Sequence, residues 1–220
     1  MIKLLNKSSR KDNKYKDISE DDSSLTSSSD PERVFRSWYT LAKAQCYPKQ
    51  ASSMALSTSS LQGRPSSRIV LCKAVVPDPL SLLFYTNYST RKAVEISKNP
   101  FSSALFYWAS LQRQVRIEGR TSRLNESENR DVSSALPFHE RHGLHLIRVV
   151  RETTKYFDKS PTSIHTESAD SPPSTSAGWG GFLLAADTIE LWASKGGKSH
   201  TSGRWKRSRS NHWELDKFTT

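Results

Sequence analysis

The stretch Arg64–Arg120 decides the fold, because in it short apolar runs alternate with basic and polar residues. Two of its runs, Arg68–Lys73 (RIVLCK) and Leu82–Asn87 (LLFYTN), are rich in residues that favour β-strands. Ala104–Trp108 has the same character and leads into Leu111–Arg120, where apolar and polar residues alternate. A period of two predicts a strand with one buried face and one polar face.

A short helix is predicted between the second and third of these runs. Ser89 would be its N-cap, and Asn99 followed by Pro100 would end it. Its first turn contains Arg91 and Lys92, although the N-terminus of a helix carries a partial positive charge. Because an anion at that end would remove the conflict, we interpret Arg91 and Lys92 as ligands of a phosphate group.

Two further helices are predicted outside this stretch. Asp30 as N-cap and Pro31 at the first helical position begin an amphipathic helix that runs to about Gln45. The other helix is predicted from Asn125 to about Leu136.

Two polar segments differ from the rest of the chain. Residues 1–29 are rich in Lys, Asp and Ser and have scarcely any apolar periodicity, so we expect a disordered tail. Residues 158–178 are rich in Ser, Thr and Pro and are expected to form a flexible loop. The remainder, 30–220, is expected to form one domain around this loop.

Composition limits the classes of function. The chain has 220 residues and only two cysteines, and it has no apolar run long enough to cross a bilayer, so we expect a cytoplasmic protein without disulfide bonds. Its net charge of +11 fits a solvated basic rim, binding of phosphate esters, or nucleic-acid binding through Lys195–Arg209. That segment has no nucleic-acid recognition motif, so we expect neither a nucleic-acid nor a membrane partner.

The order of these motifs resembles that of the pyridoxamine 5′-phosphate oxidases. The matching segments are Ser67–Arg68, Cys72–Lys73, Phe84–Asn87, Arg91–Lys92, Phe106–Trp108 and Leu111–Gly119. Weaker matches imply strands at Ala51–Thr58, Trp179–Phe182, Ile189–Trp192 and His212–Leu215. The resemblance implies a mainly β, antiparallel, FMN-binding split β-barrel with peripheral helices, and a homodimer with FMN in clefts between its subunits.

The same resemblance implies FMN-dependent oxidation of pyridoxine 5′-phosphate or pyridoxamine 5′-phosphate to pyridoxal 5′-phosphate, with O2 as the acceptor. The residues that it assigns to FMN are Arg68, Ile69, Val70, Leu71, Tyr85, Thr86, Arg91, Lys92, Gln114 and Trp192. The residues that it assigns to the substrate are Lys73, Arg141, Lys198 and His200, of which Lys198 and His200 are also the expected catalytic pair. A last FMN-binding arginine of the family is either lost at Ser202 or displaced to Arg204.

Parts of the second half depart from the family's pattern. Pro137, His142 and His145 replace a tyrosine, a proline and a serine, and the family's Gln-Ser pair has no clear counterpart near Thr153–Thr154. The alternative function is therefore that of a paralogue that binds FMN or pyridoxal phosphate without efficient turnover. We do not expect a metal site at His139, His142 and His145, because residues three apart drift around a helix surface.

Overall fold

The computed structural model describes residues 30–135, 178–195 and 199–216. These residues contain four α-helices and nine β-strands. The helices are α1 Pro31–Gln45, α2 Pro48–Ser52, α3 Arg91–Lys98 and α4 Glu126–Ala135. The strands are β1 Ser53–Ser59, β2 Pro65–Leu71, β3 Ala74–Val76, β4 Ser81–Asn87, β5 Phe101–Trp108, β6 Arg113–Arg123, β7 Trp179–Lys195, β8 Ser199–Arg207 and β9 Trp213–Leu215.

The nine strands of the described residues form one antiparallel sheet that branches at β7. Its main path has the order β2-β1-β5-β6-β7-β4-β3, and β8 and β9 extend from β7. β7 has 17 residues and pairs with β6 along one edge. On the other edge its first half, Trp179–Ala185, pairs with β4, and its second half, Thr188–Lys195, pairs with β8. The sheet therefore divides at the middle of β7 and stays open.

A β-bulge marks this division. The register between β6 and β7 shifts between Glu118 and Gly119, where Asp187 is the extra residue of β7. At Gly119 a Cβ atom would lie 1.9 Å from the carbonyl oxygen of Ala185, so no larger residue fits there. Because a bulge bends and twists its strand, it directs the two halves of β7 toward different neighbours.

The core lies between the inner face of the sheet and α1. The Asp30 side chain caps α1 by accepting a hydrogen bond of 3.1 Å from the Arg33 N–H, and Pro31 opens the first turn. Phe35 of α1 is fully buried, and its ring lies 5.7 Å from that of Phe106 in β5. Full burial of a phenylalanine stabilises a fold by roughly 1.5–3 kcal/mol, so this apolar face fixes α1 on the sheet.

Most of the predicted elements are present. α1 begins and ends at the predicted residues, and α4 lies inside its predicted segment. β2, β4, β5 and β6 overlap the runs of Arg64–Arg120 from which they were predicted. The predicted class, mainly antiparallel β with peripheral helices, is confirmed.

Two predicted element starts are wrong by one or two residues. Thr90 is the N-cap of α3, because Ser89 donates both its N–H and its hydroxyl to the Asn87 side chain instead. Ala51–Ser52 belong to the end of α2 and not to β1. Pro48 occupies the first helical turn of α2 and favours this short helix.

Two other predictions of strand extent are also wrong. Leu111 lies in a 3-10 turn that Gln112 ends with a φ of 51°, so β6 begins only at Arg113. The separate strands predicted at 179–182 and 189–192 are two parts of β7. The bulge allows β7 to change neighbours without a break in the strand.

Some predictions fall outside the described residues. These are the tail 1–29, nearly all of the loop 158–178, and the histidines at 139, 142 and 145. Within 30–135, 178–195 and 199–216, no helix is long and apolar enough to span a bilayer. In the same ranges no group of three or more potential metal ligands occurs.

Candidate functional site

Arg68 extends from β2 toward β1, at the junction of these strands with α3. Its Nη1 donates hydrogen bonds to the carbonyl oxygen of Leu56 at 3.1 Å and to the hydroxyl of Thr58 at 2.7 Å. Its Nη2 donates to the hydroxyl of Ser66. Burial lowers the pKa of Arg68, and the Glu95 carboxylate counteracts this effect. Since a guanidinium stays protonated in proteins, Arg68 is a cation held within the fold.

Glu95 of α3 is the anion of this junction and is only 6% exposed. Its Oε2 accepts hydrogen bonds from the hydroxyls of Thr58 and Ser66 and lies 3.6 Å from Nη2 of Arg68. Its Oε1 accepts a hydrogen bond of 2.8 Å from Nε of Arg91. The hydrogen bond from Thr58, with those from Arg91 and Ser66, outweighs burial and lowers the pKa of Glu95 to about 2. Glu95 is therefore ionised at neutral pH.

The N-terminal end of α3 supplies two more cations. The Arg91 side chain is 67% exposed and pairs with Glu95, and Nζ of Lys92 donates a hydrogen bond of 2.9 Å to the hydroxyl of buried Thr86. Thr90 is the N-cap, but its hydroxyl donates to the carbonyl oxygen of Asn87 and makes no capping bond to the first turn. A helix end without a side-chain cap attracts anions.

We name Arg68, Arg91, Lys92 and Glu95, with the hydroxyls that they contact, the cationic cluster. Three positive charges and one negative charge give these four side chains a net charge of +2. A phosphate monoester carries about −1.5 to −2 near neutral pH. The cluster therefore matches a phosphate monoester in charge, and it offers the guanidinium, ammonium and hydroxyl donors that bind such groups.

A second group of the predicted residues lies on the outer face of the sheet, and we name it the aromatic platform. Gln114 of β6 and Trp192 of β7 are directly opposite each other in the strand register. The ring of His200 in β8 stacks on that of Trp192, with the centroids 6.2 Å apart and the planes inclined by 22°. Two flat rings beside an amide form a surface suited to a planar, hydrogen-bonding ligand.

Arg204 lies near this platform but already has carboxylate partners. It is opposite Glu190 in the register of β8 and β7. Its Nη2 lies 3.4 Å from the Glu118 carboxylate, and its Nε lies 3.8 Å from that of Asp216. Nζ of Lys206 lies 2.7 Å from the same Asp216 oxygen. Arg204 is therefore part of a network of charges on the outer face.

The remaining predicted residues are distributed around these two groups. Ile69 is 67% exposed, whereas Val70 packs against the core. The N–H of Lys73 donates to the carbonyl oxygen of Leu83 at 2.7 Å and so ties the segment after β2 to β4. Leu71 is half-buried at the end of β2, Tyr85 packs beside a small cluster of Leu83 and Leu124, and Arg141 and Lys198 lie outside the described residues.

The cationic cluster and the aromatic platform are on opposite faces of the sheet. Thr58, which contacts Arg68, is buried with the inner residues of β1. Gln114 alternates with buried Arg113 and Val115 and therefore points outward. The structure thus joins Arg68 and Arg91 through Glu95, links Lys92 to Thr86, and separately places Gln114 and His200 beside Trp192.

Sequence reasoning missed Glu95, Thr58 and Ser66. A signal for Glu95 exists, because its spacing of four residues from Arg91 on a helix places the two side chains side by side. Thr58 and Ser66 meet only because they are opposite each other in the register of β1 and β2. No local pattern in the sequence indicates this pairing.

Comparison with known proteins finds matches to one protein family. The family model described as pyridoxamine 5′-phosphate oxidase matches residues 41–167. The pyridoxine/pyridoxamine 5′-phosphate oxidase of Paraburkholderia phytofirmans is 32% identical over 192 residues, which cover 86% of this chain and 88% of that protein. The protein of the same description from Pseudomonas entomophila is 31% identical over 191 residues, which cover 82% and 87%.

Solved structures of the same fold are also known. PhzG from Burkholderia lata, in complex with tetrahydrophenazine-1-carboxylic acid, matches with a TM-score of 0.63 and 21% identity and covers 94% of this chain and 96% of its own. A pyridoxamine 5′-phosphate oxidase-related, FMN-binding protein from Nostoc punctiforme matches with a TM-score of 0.63 and 17% identity, covering 88% and 100%. These likenesses confirm the predicted split-barrel fold.

Proposed function

Because the chain belongs to the pyridoxamine 5′-phosphate oxidase family, we propose that it binds FMN and oxidises pyridoxine 5′-phosphate or pyridoxamine 5′-phosphate to pyridoxal 5′-phosphate. The observation that carries this proposal is the cationic cluster, whose charge and donors fit the phosphate of FMN. The alcohol substrate loses two hydrogens to O2, which becomes hydrogen peroxide. The amine substrate additionally takes up water and releases ammonia.

The cationic cluster would hold the phosphate of FMN. Arg91 and Lys92 would contact it directly at the N-terminal end of α3, and Arg68 would contribute from the strand side. Hydrogen bonds to charged groups contribute about 1.5–3 kcal/mol each, so the loss of one cation should weaken FMN binding by at least tenfold. When bound, FMN supplies the two-electron redox chemistry that no side chain of the chain provides.

The aromatic platform would hold the flat rings. Trp192 and Gln114 would contact the flavin ring through an aromatic face and an amide, with Tyr85 and Thr86 and the backbone of Ile69–Leu71 completing its position. His200, stacked on Trp192, would lie over the substrate ring, where an imidazole can accept a proton from the substrate's 4′ hydroxyl or amine. Holding both rings in one orientation is the main contribution of the protein.

The substrate's own phosphate would be bound by a different set of cations. We assign this role to Lys73, Arg141 and Lys198. Lys73 lies two residues after the end of β2, so the chain carries this cation close to the strand of Arg68. Separate cations for two phosphates would allow the cofactor and the substrate to bind at the same time.

We also propose a homodimer. The cationic cluster and the aromatic platform are on opposite faces of one sheet, so a second subunit would bring a platform to a cluster. The outer face carries exposed Ile69, Phe101 and Tyr107, and an apolar face of this kind is typical of an interface. Sedimentation of the full chain should give twice the mass of 24.9 kDa.

One observation favours the alternative function, a paralogue that binds FMN or pyridoxal phosphate without efficient turnover. Arg204, the candidate for the family's last flavin-facing arginine, is engaged by the carboxylates of Glu118 and Asp216. A cation neutralised in this way stabilises negative charge on a reduced flavin less well.

The flavin spectrum distinguishes the two functions. Protein reconstituted with FMN is recorded without oxygen before and after addition of pyridoxine 5′-phosphate. We expect the oxidised-flavin band to bleach and to return on exposure to air, whereas unphosphorylated pyridoxine at the same concentration should leave the band unchanged. Bound flavin that stays oxidised would support the weak paralogue, and failure to bind FMN at all would refute the oxidase and leave only a paralogue that binds pyridoxal phosphate.

A further inference from the structure

Glu95 is the most enclosed charged group of the cationic cluster, and it joins three elements of the fold. Its two oxygens contact Thr58 of β1, Ser66 and Arg68 of β2, and Arg91 of its own helix. The hydroxyls of Thr58 and Ser66 each donate their one proton to Glu95, so both accept from Arg68. The hydrogen bonds around the Glu95 carboxylate are therefore mutually compatible, because no hydroxyl is required to donate its proton twice.

This network limits the freedom of Arg91. The Arg91 side chain is 67% exposed and contacts Glu95 through Nε. An exposed arginine without a partner samples many rotamers, and each ligand contact must overcome that loss of freedom. With Nε held by Glu95, the orientation of the Arg91 guanidinium, and so of its two terminal nitrogens, is restricted before any ligand binds.

Glu95 also has an opposing effect, because a carboxylate repels a phosphate. Its charge is, however, met by guanidinium groups at 2.8 Å and 3.6 Å. Paired charges at such distances largely cancel each other's field farther away. The ordering of the arginines should therefore outweigh the repulsion.

We propose that Glu95 is a positioning residue for the FMN phosphate, which acts by orienting Arg91 and Arg68 and does not itself touch the cofactor. This inference rests on the proposed function, because it requires that the cationic cluster binds the phosphate. It assigns a role in cofactor affinity to a carboxylate that, from its charge alone, would be expected to disfavour an anion.

The test compares FMN with riboflavin, which has the same ring system but no phosphate. Dissociation constants for both flavins are measured by fluorescence quenching for the unaltered protein and for Glu95→Gln, which keeps the side-chain size and removes the charge. We expect FMN affinity to fall about tenfold and riboflavin affinity to change less than twofold. In the Arg91→Ala background, Glu95→Gln should weaken FMN binding less than threefold, because one of its two arginine targets is gone.

Glu32→Gln is the matched control. Glu32 also extends from a helix and accepts hydrogen bonds from two arginines and one neutral donor. These are Arg207 at 2.9 Å, Arg36 at 3.4 Å and the indole N–H of Trp213 at 3.1 Å. Its loss should reduce stability but leave the ratio of FMN to riboflavin affinity unchanged. Should Glu95→Gln fail to fold, Glu95→Asp keeps the charge but shortens the reach, and it should weaken FMN about threefold and spare riboflavin.

Three results would overturn the inference. An equal loss for FMN and riboflavin would mean that Glu95 only supports the fold. Unchanged or higher FMN affinity in both Glu95 variants would mean that orientation does not outweigh repulsion. If the unaltered protein binds riboflavin as tightly as FMN, the phosphate site itself is refuted, and the proposed function fails with it.

Discussion

The cationic cluster and the aromatic platform are built in different ways. Arg68 and Glu95 are enclosed by side chains of β1, β2 and α3, which hydrogen-bond or ion-pair with both residues. Trp192 and Gln114 lie side by side because of strand register, and within the described residues the ring of His200 stacks on Trp192. Within the described residues, the phosphate side of the candidate site is thus held by a network of charges and hydrogen bonds, whereas the ring side is held by strand register and one stacked ring.

This difference predicts how each region should contribute to flavin binding and to stability. An enclosed network of charges is sensitive to any change, because removal of one partner leaves the other buried and uncompensated. The stacked pair, in which His200 is exposed and Trp192 is half-buried, contributes mainly contact area, so loss of a ring there should disturb the fold less. Variants of the two regions should therefore separate stability from ring binding.

Arg68→Ala should have the largest effect, because it breaks the cluster from within. The change leaves the Glu95 carboxylate without its strand-side cation and removes three hydrogen bonds. Loss of one partner of a buried pair costs about 3–5 kcal/mol, and partial exposure of Arg68 places the expected loss near the lower end. We expect urea unfolding to show about 3 kcal/mol of destabilisation and FMN affinity to fall by roughly a hundredfold.

Arg68→Lys is the control for charge without the planar fork. A lysine ammonium cannot reach Leu56, Thr58 and Ser66 together. We expect it to recover part of the FMN affinity and little of the stability. If Arg68→Ala kept both the stability and the FMN affinity, the cluster would not be the phosphate site.

Trp192→Ala should have a smaller effect of a different kind. The residue is half-buried on the outer face, so we expect unfolding stability to change by less than about 1 kcal/mol. Loss of aromatic stacking of about 0.5–1.5 kcal/mol should weaken FMN and riboflavin alike, by up to about tenfold. Titration of both flavins measures this, and a loss confined to FMN would place the flavin ring elsewhere.

The parts of the fold that were predictable from the sequence depend on neighbours along the chain. The start of α1 follows from Asp30 and Pro31, and the two faces of β6 follow from the alternation around Val115 and Ile117. The branching of the sheet was not predictable, because it depends on the bulge at Asp187 and on the close approach of Gly119 to Ala185. A bulge changes which residues of two neighbouring strands lie opposite each other, and these pairings cannot be read from a single sequence.

The candidate site likewise has features that were predictable from the sequence and features that were not. The cations at Arg91 and Lys92 were predicted from their conflict with the helix dipole, and the explanation offered was an external anion. The structure contains an internal anion as well, because Glu95 lies one helical turn after Arg91 and contacts it. The stacking of His200 on Trp192 depends on how β8 pairs with β7, which the spacing of the two residues does not specify. The place of these cations at a helix N-terminus was therefore predictable, and the contacts that organise them were not.

The smallest expected effect is on the pH dependence of the free energy of unfolding. It distinguishes the cationic cluster from the aromatic platform in the unliganded protein. The pKa of Glu95 is lowered from 4.5 to about 2, chiefly by the hydrogen bond from Thr58. A carboxylate with a depressed pKa in the folded state contributes stability above its unfolded pKa and loses it as the pH falls toward the folded value. The stability difference between the unaltered protein and Glu95→Gln should therefore be constant from pH 7 to about 5 and should shrink between pH 4.5 and 2. Urea unfolding at each pH measures this difference. The corresponding difference for Trp192→Ala should stay constant over the acidic range, since that substitution removes no carboxylate; a parallel decline in both variants would mean that acid acts on the whole fold and not on the Glu95 network.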